Sequence, residues 1–278
     1  MSEPGWSSYD EIAGTYDAVS VPHYFQRPAE RLVAMLGISR GDRLLDAGAG
    51  TGVAAAFALR FTPRVVAADP SWPMLQRARA RGVGAAVVAG LPLLPFADRS
   101  FDRIAAGFVL NHLADRGEAL LDLGRVLARG GRLGIASWAK GPSDNEAGEL
   151  WNETARGFIA REVLEEQVGK ALPGEGPLAE PAHLRDLLSK AGLPVESVRQ
   201  IEFPISIAAK DYLTSRSLAM TARYMKHKLP PERWQLFEQR VERQFLARFG
   251  QQLEFRVLVN FAIAAKQPLP WGVGIACQ

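Results

Sequence analysis

Residues 44–52 read Leu44-Leu45-Asp46-Ala47-Gly48-Ala49-Gly50-Thr51-Gly52, an acid and three alternate glycines set directly behind a short apolar run. Leu44 and Leu45 are the expected buried end of a first strand. The glycines let the backbone turn sharply and pass close beneath a ligand where a Cβ would collide. With a helix starting near Val53, this unit can cradle a nucleoside cofactor. The dinucleotide pattern G-x-G-x-x-G, counted from Gly48, finds Gly50 but meets Val53 at its third glycine, which argues against a nicotinamide cofactor. Val65-Val66-Ala67-Ala68-Asp69 is a second apolar run closed by an acid. It lies about 20 residues beyond the loop, where a carboxylate reaches ribose hydroxyls. His112, in Phe108-Val109-Leu110-Asn111-His112, follows a predicted strand over Phe101 to Phe108. A neutral imidazole there can remove a proton near pH 7, and the same position also suits a histidine that only hydrogen-bonds at a helix start. His23, His183 and His227 lie in no motif.

The D-x-G-x-G-x-G loop, with its acid two residues before the first glycine, resembles motif I of the class I S-adenosylmethionine (SAM) dependent methyltransferases. Further segments follow in the family's order. Asp69-Pro70-Ser71-Trp72-Pro73-Met74-Leu75 resembles its D-x-S-x-x-M-L stretch. Residues 89–102, Ala89-Gly90-Leu91-Pro92 through Phe101-Asp102, resemble G-D-A-x-x-L-P-F-x-D-x-S-F-D, and residues 123–133 resemble a turn of the form R-V-L-x-P-G-G-x-L. Tyr9-Asp10-Glu11-Ile12-Ala13-Gly14-Thr15-Tyr16-Asp17 is similar to the family's Y-D-x-x-A-x-x-Y-D opening. The specific resemblance covers residues 40 to 138 and is nearest to the ubiquinone and menaquinone biosynthesis type and to enzymes that methylate small secondary metabolites.

The resemblance implies SAM as cofactor, S-adenosylhomocysteine (SAH) as product, and a set of cofactor contacts. Asp46 would face the SAM ammonium, with Ala47, Gly48 and Gly50 as the loop. Asp69 would take the ribose, with Pro70 beside it. Met74 would pack on the adenine, although a methionine there also serves as ordinary helix core. Gly90 stands where the family has an acid at the adenine edge, leaving that contact to the Leu91 backbone or to water. Phe108 would also touch the cofactor. Tyr16 would close over the SAM carboxylate as a lid, or anchor a helix on the sheet. His112 matches a histidine frequent in the family and is the candidate base. Two departures are Gly90 and Arg129, the latter replacing a proline.

Composition bounds the remaining readings. The chain has 278 residues, 47% of them hydrophobic, enough for one sizeable α/β core with insertions. No apolar run approaches a membrane span of ~18 residues. Met1-Ser2-Glu3-Pro4 lacks the basic and apolar regions of a signal peptide, so a cytoplasmic location without stable membrane insertion is expected. The only cysteine is Cys277, which excludes a disulfide framework, a cysteine-rich metal site and thiolate attack on cytosine. The net charge is +3, yet residues 210–250 alone carry nine Lys or Arg against four Asp or Glu. Those bases alternate with apolar residues, as on a solvated helix face, so no nucleic-acid partner is expected; an anionic substrate is the minor alternative. Asn111-His112-Leu113-Ala114 contains no N-P-P-Y type motif, which disfavours methylation of a flipped base.

The elements that must position these residues alternate strand and helix as far as Trp138, the pattern of a doubly wound, Rossmann-like α/β fold. The expected fold is a seven-stranded, mostly parallel sheet with helices on both faces and a helical cap formed by insertions. Residues 1–40 are expected as lid helices, 41–140 as the SAM-binding core, and 141–278 as the rest of the sheet. The cap falls at about 141–180 and 208–250. Single helices are expected over Glu149 to Lys170 and Lys210 to Lys228, with a loop at 172–177 between the first and a helix over Pro181 to Ala191. A helix after Pro230 carries Trp234, Phe237, Val241, Phe245 and Phe249 as one stripe, which serves as core, as substrate pocket, or as both. Val195 to Ile207 and Leu253 to Lys266 read as the last two strands. The expected activity is methyl transfer to a small apolar or aromatic acceptor by a monomer or homodimer, with the methylated atom (carbon, oxygen or nitrogen) open. The alternatives are a SAM-fold protein doing other chemistry, such as a cyclisation, or one that only binds.

Overall fold

The computed structural model describes residues 5–139, 145–171 and 177–267. Within them one sheet holds seven strands: β1 (Leu44–Ala47), β2 (Val65–Asp69), β3 (Ala85–Val88), β4 (Phe101–Gly107), β5 (Leu127–Trp138), β6 (Val195–Ala208) and β7 (Gln252–Ala265), in the order β3-β2-β1-β4-β5-β7-β6. β1 to β5 run parallel, and β7 inserts antiparallel between β5 and β6. Every residue of β1 is buried. A central parallel strand is covered on both faces, so its sequence is a continuous apolar run and not an alternation.

The helices divide between the two faces. Leu32 and Leu36 of the α2 region (α2, Gln26–Met35), Ala55 of α3 (Val53–Ala58) and Leu75 of α4 (Trp72–Ala80) form one core layer. Leu120 and Leu123 of α5 (Arg116–Val126) with Leu184 and Leu188 of α8 (Pro181–Lys190) form the other. Ahead of α2, a short α1 (Ala13–Thr15) runs into a π-helical segment, Tyr16–Phe25. The strand order reverses between β1 and β4, and in open α/β sheets the crevice beyond the carboxyl ends at such a point is where ligands bind.

A second hydrophobic cluster lies away from the sheet. It joins α6 (Asn145–Arg156), α7 (Arg161–Ala171), α10 (Met220–Lys228) and α11 (Pro231–Phe249) through Trp151, Leu164, Met225, Trp234, Phe237 and Val241. Phe245, further along α11, belongs to a neighbouring cluster with Tyr212 of α9 (Ala209–Ser217) and residues of β6 and β7. The α11 stripe is therefore packed core, and none of its members lines the cavity described below.

Several boundaries differ from the sequence reading. The helix expected over Lys210 to Lys228 is two, α9 and α10, broken where Ala219 adopts an extended conformation. No glycine or proline marks that break. The helix expected over Glu149 to Lys170 is α6 and α7, interrupted at 157–160, where Gly157 stands and Phe158 and Ile159 turn into the second cluster. β5 begins at Leu127, before the Gly130-Gly131 pair, and a register irregularity against β4 absorbs the extra residues. β4 stops at Gly107, because Phe108 has turned to φ +60°. Of the loop expected at 172–177, residues 172–176 lie outside the described residues, as do Met1 to Pro4 and Cys277.

Candidate cofactor and acceptor site

The glycine loop is built by two close approaches and one backbone demand. Gly48, Gly50 and Gly52 have φ of +69°, +51° and +77°, a region L side chains rarely adopt. A Cβ on Gly48 would stand 2.3 Å from Val109 Cγ2, and one on Gly52 would stand 2.3 Å from Ala78 Cβ. The first glycine thus admits the loop after β4, the third admits α4, and Gly50 is required by conformation alone. The amides of Gly48 and Ala49 both donate to Ala68 O, at 2.8 and 3.0 Å, pinning the turn to the end of β2.

Two buried carboxylates close this turn. Gly52, at the start of α3, has no side chain to cap the helix, and Asp46 Oδ2 accepts the Ala55 amide instead at 2.9 Å. Burial pushes Asp46 up to about 7, the Ala55 amide opposes this, and the charge of Asp69 adds to it. Asp69 takes the amide of Gly50 on Oδ2 at 2.8 Å and that of Ser71 on Oδ1 at 2.9 Å. Burial raises its pKa, with the two amides pulling the other way. Ser71 caps α4 through Met74 N and donates from Oγ to Asp10 Oδ1 at 2.5 Å, tying the N-terminal segment to the loop.

The opposite wall is aromatic. The wide π-helical turn brings Tyr16, Ser20, Val21, Tyr24 and Phe25 onto the cavity side, a spacing of four and five residues. Phe25 meets Phe108 at 5.2 Å and Trp138 at 5.5 Å between ring centroids, and Tyr16 meets Phe25 at 5.2 Å. Burial, then the charges of Tyr9, Asp69 and Asp17, hold the Tyr16 phenol well above its ordinary value, so it is an O–H donor at neutral pH. The Tyr9 hydroxyl lies 3.5 Å from His112 Nε2. Burial, reinforced by the positive charge of Arg223, lowers the His112 pKa to about 4. Arg223 of α10 also lies over the Tyr9 ring and donates to Ser8 O.

These parts enclose one cavity of about 740 Å³. Of the residues singled out in the sequence, Tyr16, Asp46, Gly48, Gly50, Asp69, Pro70, Met74, Gly90, Leu91, Phe108 and His112 all line it. Ala47 does not: it is fully buried among core residues of the α5 and α8 face, since neighbouring side chains of a strand point to opposite sides. Met74 is 2% exposed, so it is both helix core and cavity floor. Sequence reasoning missed Thr51, Asn111, Phe25, Trp138 and Arg216, which also line the cavity. Phe25 and Trp138 lie 113 positions apart and had no local signal. Among the described residues, three buried side-chain atoms lack a hydrogen-bond partner: Thr51 Oγ1, Asn111 Oδ1 and Arg216 Nε. All three belong to residues of this cavity wall. A buried polar group left unpaired costs about 1–3 kcal/mol, so such atoms at a cavity mark where a ligand's own groups are wanted.

Residues 45–135 match the family model described as a methyltransferase domain. Over this span the chain carries a methyltransferase domain. Among curated relatives, the demethylmenaquinone methyltransferase of Mycobacterium sp. (strain KMS) is 33% identical over 153 residues, 53% of this chain and 64% of the relative. The methyltransferase GfsG of Streptomyces halstedii is 39% identical over 119 residues, 40% of this chain and 43% of GfsG. The chain thus spans less than two thirds of these relatives' lengths. Among solved structures, the YcgJ protein of Bacillus subtilis superposes with a TM-score of 0.56 at 18% identity, covering 87% of this chain and 99% of that one, a likeness of fold. The methyltransferase domain as matched holds both carboxylates but ends ahead of Trp138, so the aromatic wall is completed by parts outside it.

Proposed function

We propose that this chain binds SAM on the glycine loop and transfers its methyl group to a small acceptor with an apolar or aromatic body. The observation that carries this reading is that two buried carboxylates, the glycine turn and the Phe25, Phe108 and Trp138 rings share one cavity. The residues suit a nucleoside carrying a cationic end. Gly50 has open space where a Cβ would stand, with no protein atom beyond its chain neighbours within 4 Å, Thr51 Oγ1 is buried and unpartnered among the described residues, and Asp46 and Asp69 are acids whose ionised form burial disfavours. Asp46 would meet the cationic methionine end, Asp69 the ribose hydroxyls through its remaining lone pairs, and Tyr16 the carboxylate as donor.

When bound, SAM supplies a methyl already activated by its sulfonium. The chain's task is to hold the acceptor in line at about 3–3.5 Å and to exclude water. The aromatic wall aligns the acceptor body. His112 is neutral at physiological pH but weakly basic, so it serves better as a hydrogen-bonding partner that orients an acceptor O–H or N–H than as a strong proton acceptor. Residues 1–40, 141–180 and 208–250 act as lid and cap over the core at 41–140. We place the reaction in the cytoplasm, in a monomer or homodimer without a nucleic-acid partner. No helix among the described residues is long and apolar enough to cross a membrane. The test is incubation with isotopically labelled SAM and a panel of phenols, quinols and amines, read by mass spectrometry. A mass gain of one methyl on a panel member supports the reading. SAM bound without any transfer would favour non-methyl-transfer chemistry or binding alone.

A further inference from the structure

Arg216, near the end of α9, is a positive charge in the wall of the cavity that has no acidic partner among the described residues. Several other arginines are ion-paired: Arg43 with Asp102, Arg81 with Asp17, Arg103 with Asp42 and Arg125 with Asp122. Arg216 instead stacks its guanidinium over Trp151, 4.9 Å from the ring centroid, and donates one Nη2 hydrogen bond to Asn152 Oδ1 at 3.2 Å. Trp151 is 2% exposed, so the platform is fixed in the second hydrophobic cluster. The neutral partners hold the fork in place without neutralising it, and the buried Nε has no acceptor.

The cavity wall carries both signs of charge. Asp10, Asp46 and Asp69 cluster around the glycine loop, whereas Arg216 stands beside Ser215, whose hydroxyl lies 3.1 Å from that of Ser20 on the π-helical segment. Phe25, Phe108 and Trp138 line the same cavity. Arg216 is the only arginine among the cavity's described residues, and no lysine joins it there. A single cation beside three acids suits a monoanion better than a doubly charged phosphate. A guanidinium fork matches the two oxygens of a carboxylate.

We infer that the acceptor is a flat carboxylic acid, its carboxylate held at Arg216 and its body against the aromatic wall. Asn111 Oδ1, buried and unpartnered, receives an O–H or N–H from the same molecule. This rests on the methyltransferase reading and narrows its substrate class. The basic excess of residues 210–250 then includes one charge that serves the cavity.

The test is calorimetry on the SAH-loaded full chain with hydroxybenzoate and hydroxycinnamate and, separately, with their methyl esters. SAH binding alone, measured first, tests the cofactor reading on its own. Given SAH binding, the acids should bind at least tenfold more tightly than the esters. Arg216→Gln should remove that preference while leaving ester and SAH affinity unchanged, and Arg216→Lys should retain part of it. Equal binding of acid and ester, no binding of either acid to the SAH-loaded protein, or an equal loss for acid and ester in Arg216→Gln would overturn the inference. If Arg216→Gln fails to fold, the acid-to-ester ratio in the unaltered protein and in Arg216→Lys decides it.

Discussion

At the scale of single residues, the two loop carboxylates set the pH behaviour of cofactor binding. Asp46 is held near 7 by burial, above its ordinary 3.8, and a cationic ligand favours its ionised form. Below about pH 7 binding must therefore expel a proton, so SAM affinity should fall as pH drops from 7 to 5, by at most about tenfold per unit. Calorimetry in buffers of different ionisation enthalpy would show the released proton; a pH-independent affinity would mean that Asp46 does not meet the ligand's charge. Asp69→Ala should weaken SAM by about 1.5–3 kcal/mol, the worth of hydrogen bonds to a charged group. It also frees the amides of Gly50 and Ser71, so a larger loss would point to a displaced loop. For His112, depressed to about 4, the imidazole is neutral throughout the physiological range. Turnover should show no histidine step between about pH 5.5 and 8, any fall linked to this group arriving only as pH approaches 4. His112→Ala should act mainly on KM; a loss of about 10²–10⁴ in kcat would assign it proton removal instead. Asp46, Asp69 and His112 were legible because each ends or follows an apolar strand. Asn111 and Arg216 were not, because their significance lies in missing partners, which only the packed chain reveals.

At the scale of elements, the glycine loop and the α11 stripe were both readable as patterns, but only the first announced its task. Gly48→Ala combines an unfavourable φ with a Cβ placed against both Cγ2 and Cβ of Val109, so it should abolish measurable SAM binding; adding Val109→Gly should relieve the clash and restore only part of it, because the backbone strain stays. Full restoration would show that packing alone demands the glycine. The stripe has the 3.6-residue period of any buried helix face, and periodicity does not say which neighbour is buried against it. Phe237 is 1% exposed between Trp151, Phe158 and Trp234. Phe237→Ala should therefore cost about 3–5 kcal/mol in denaturant unfolding. A cost below about 1 kcal/mol would contradict the packed core found there. The split between α9 and α10 escaped the sequence because Leu218 and Ala219 are neither glycine nor proline, so no local residue type signals the extended backbone at Ala219.

At the scale of the whole molecule, the packing separates parts that should respond to ligand from parts that should not. α11 already has its partners in α6 and α10, whereas the N-terminal segment and the α9–α10 junction face the cavity directly. In hydrogen exchange, SAH with a bound acceptor should slow residues 5–25 and 215–220 and leave 234–245 nearly unchanged. Uniform slowing of all three would instead indicate that the whole helical layer tightens as one body. The mostly parallel core was legible because strands and helices alternate along the chain as far as Trp138. The mouth of the cavity was not, since it joins positions far apart in the chain. The Arg223 to Ser8 contact closes a span of 215 residues. Such a closure gains nothing until the sheet between its ends exists, because loop entropy must be met before a distant contact rewards it. During folding, the glycine turn and its strands can form from neighbours in sequence, while the entrance can be assembled only last. A refolding chain should therefore acquire cofactor affinity in its final kinetic step, after most of its secondary structure has returned.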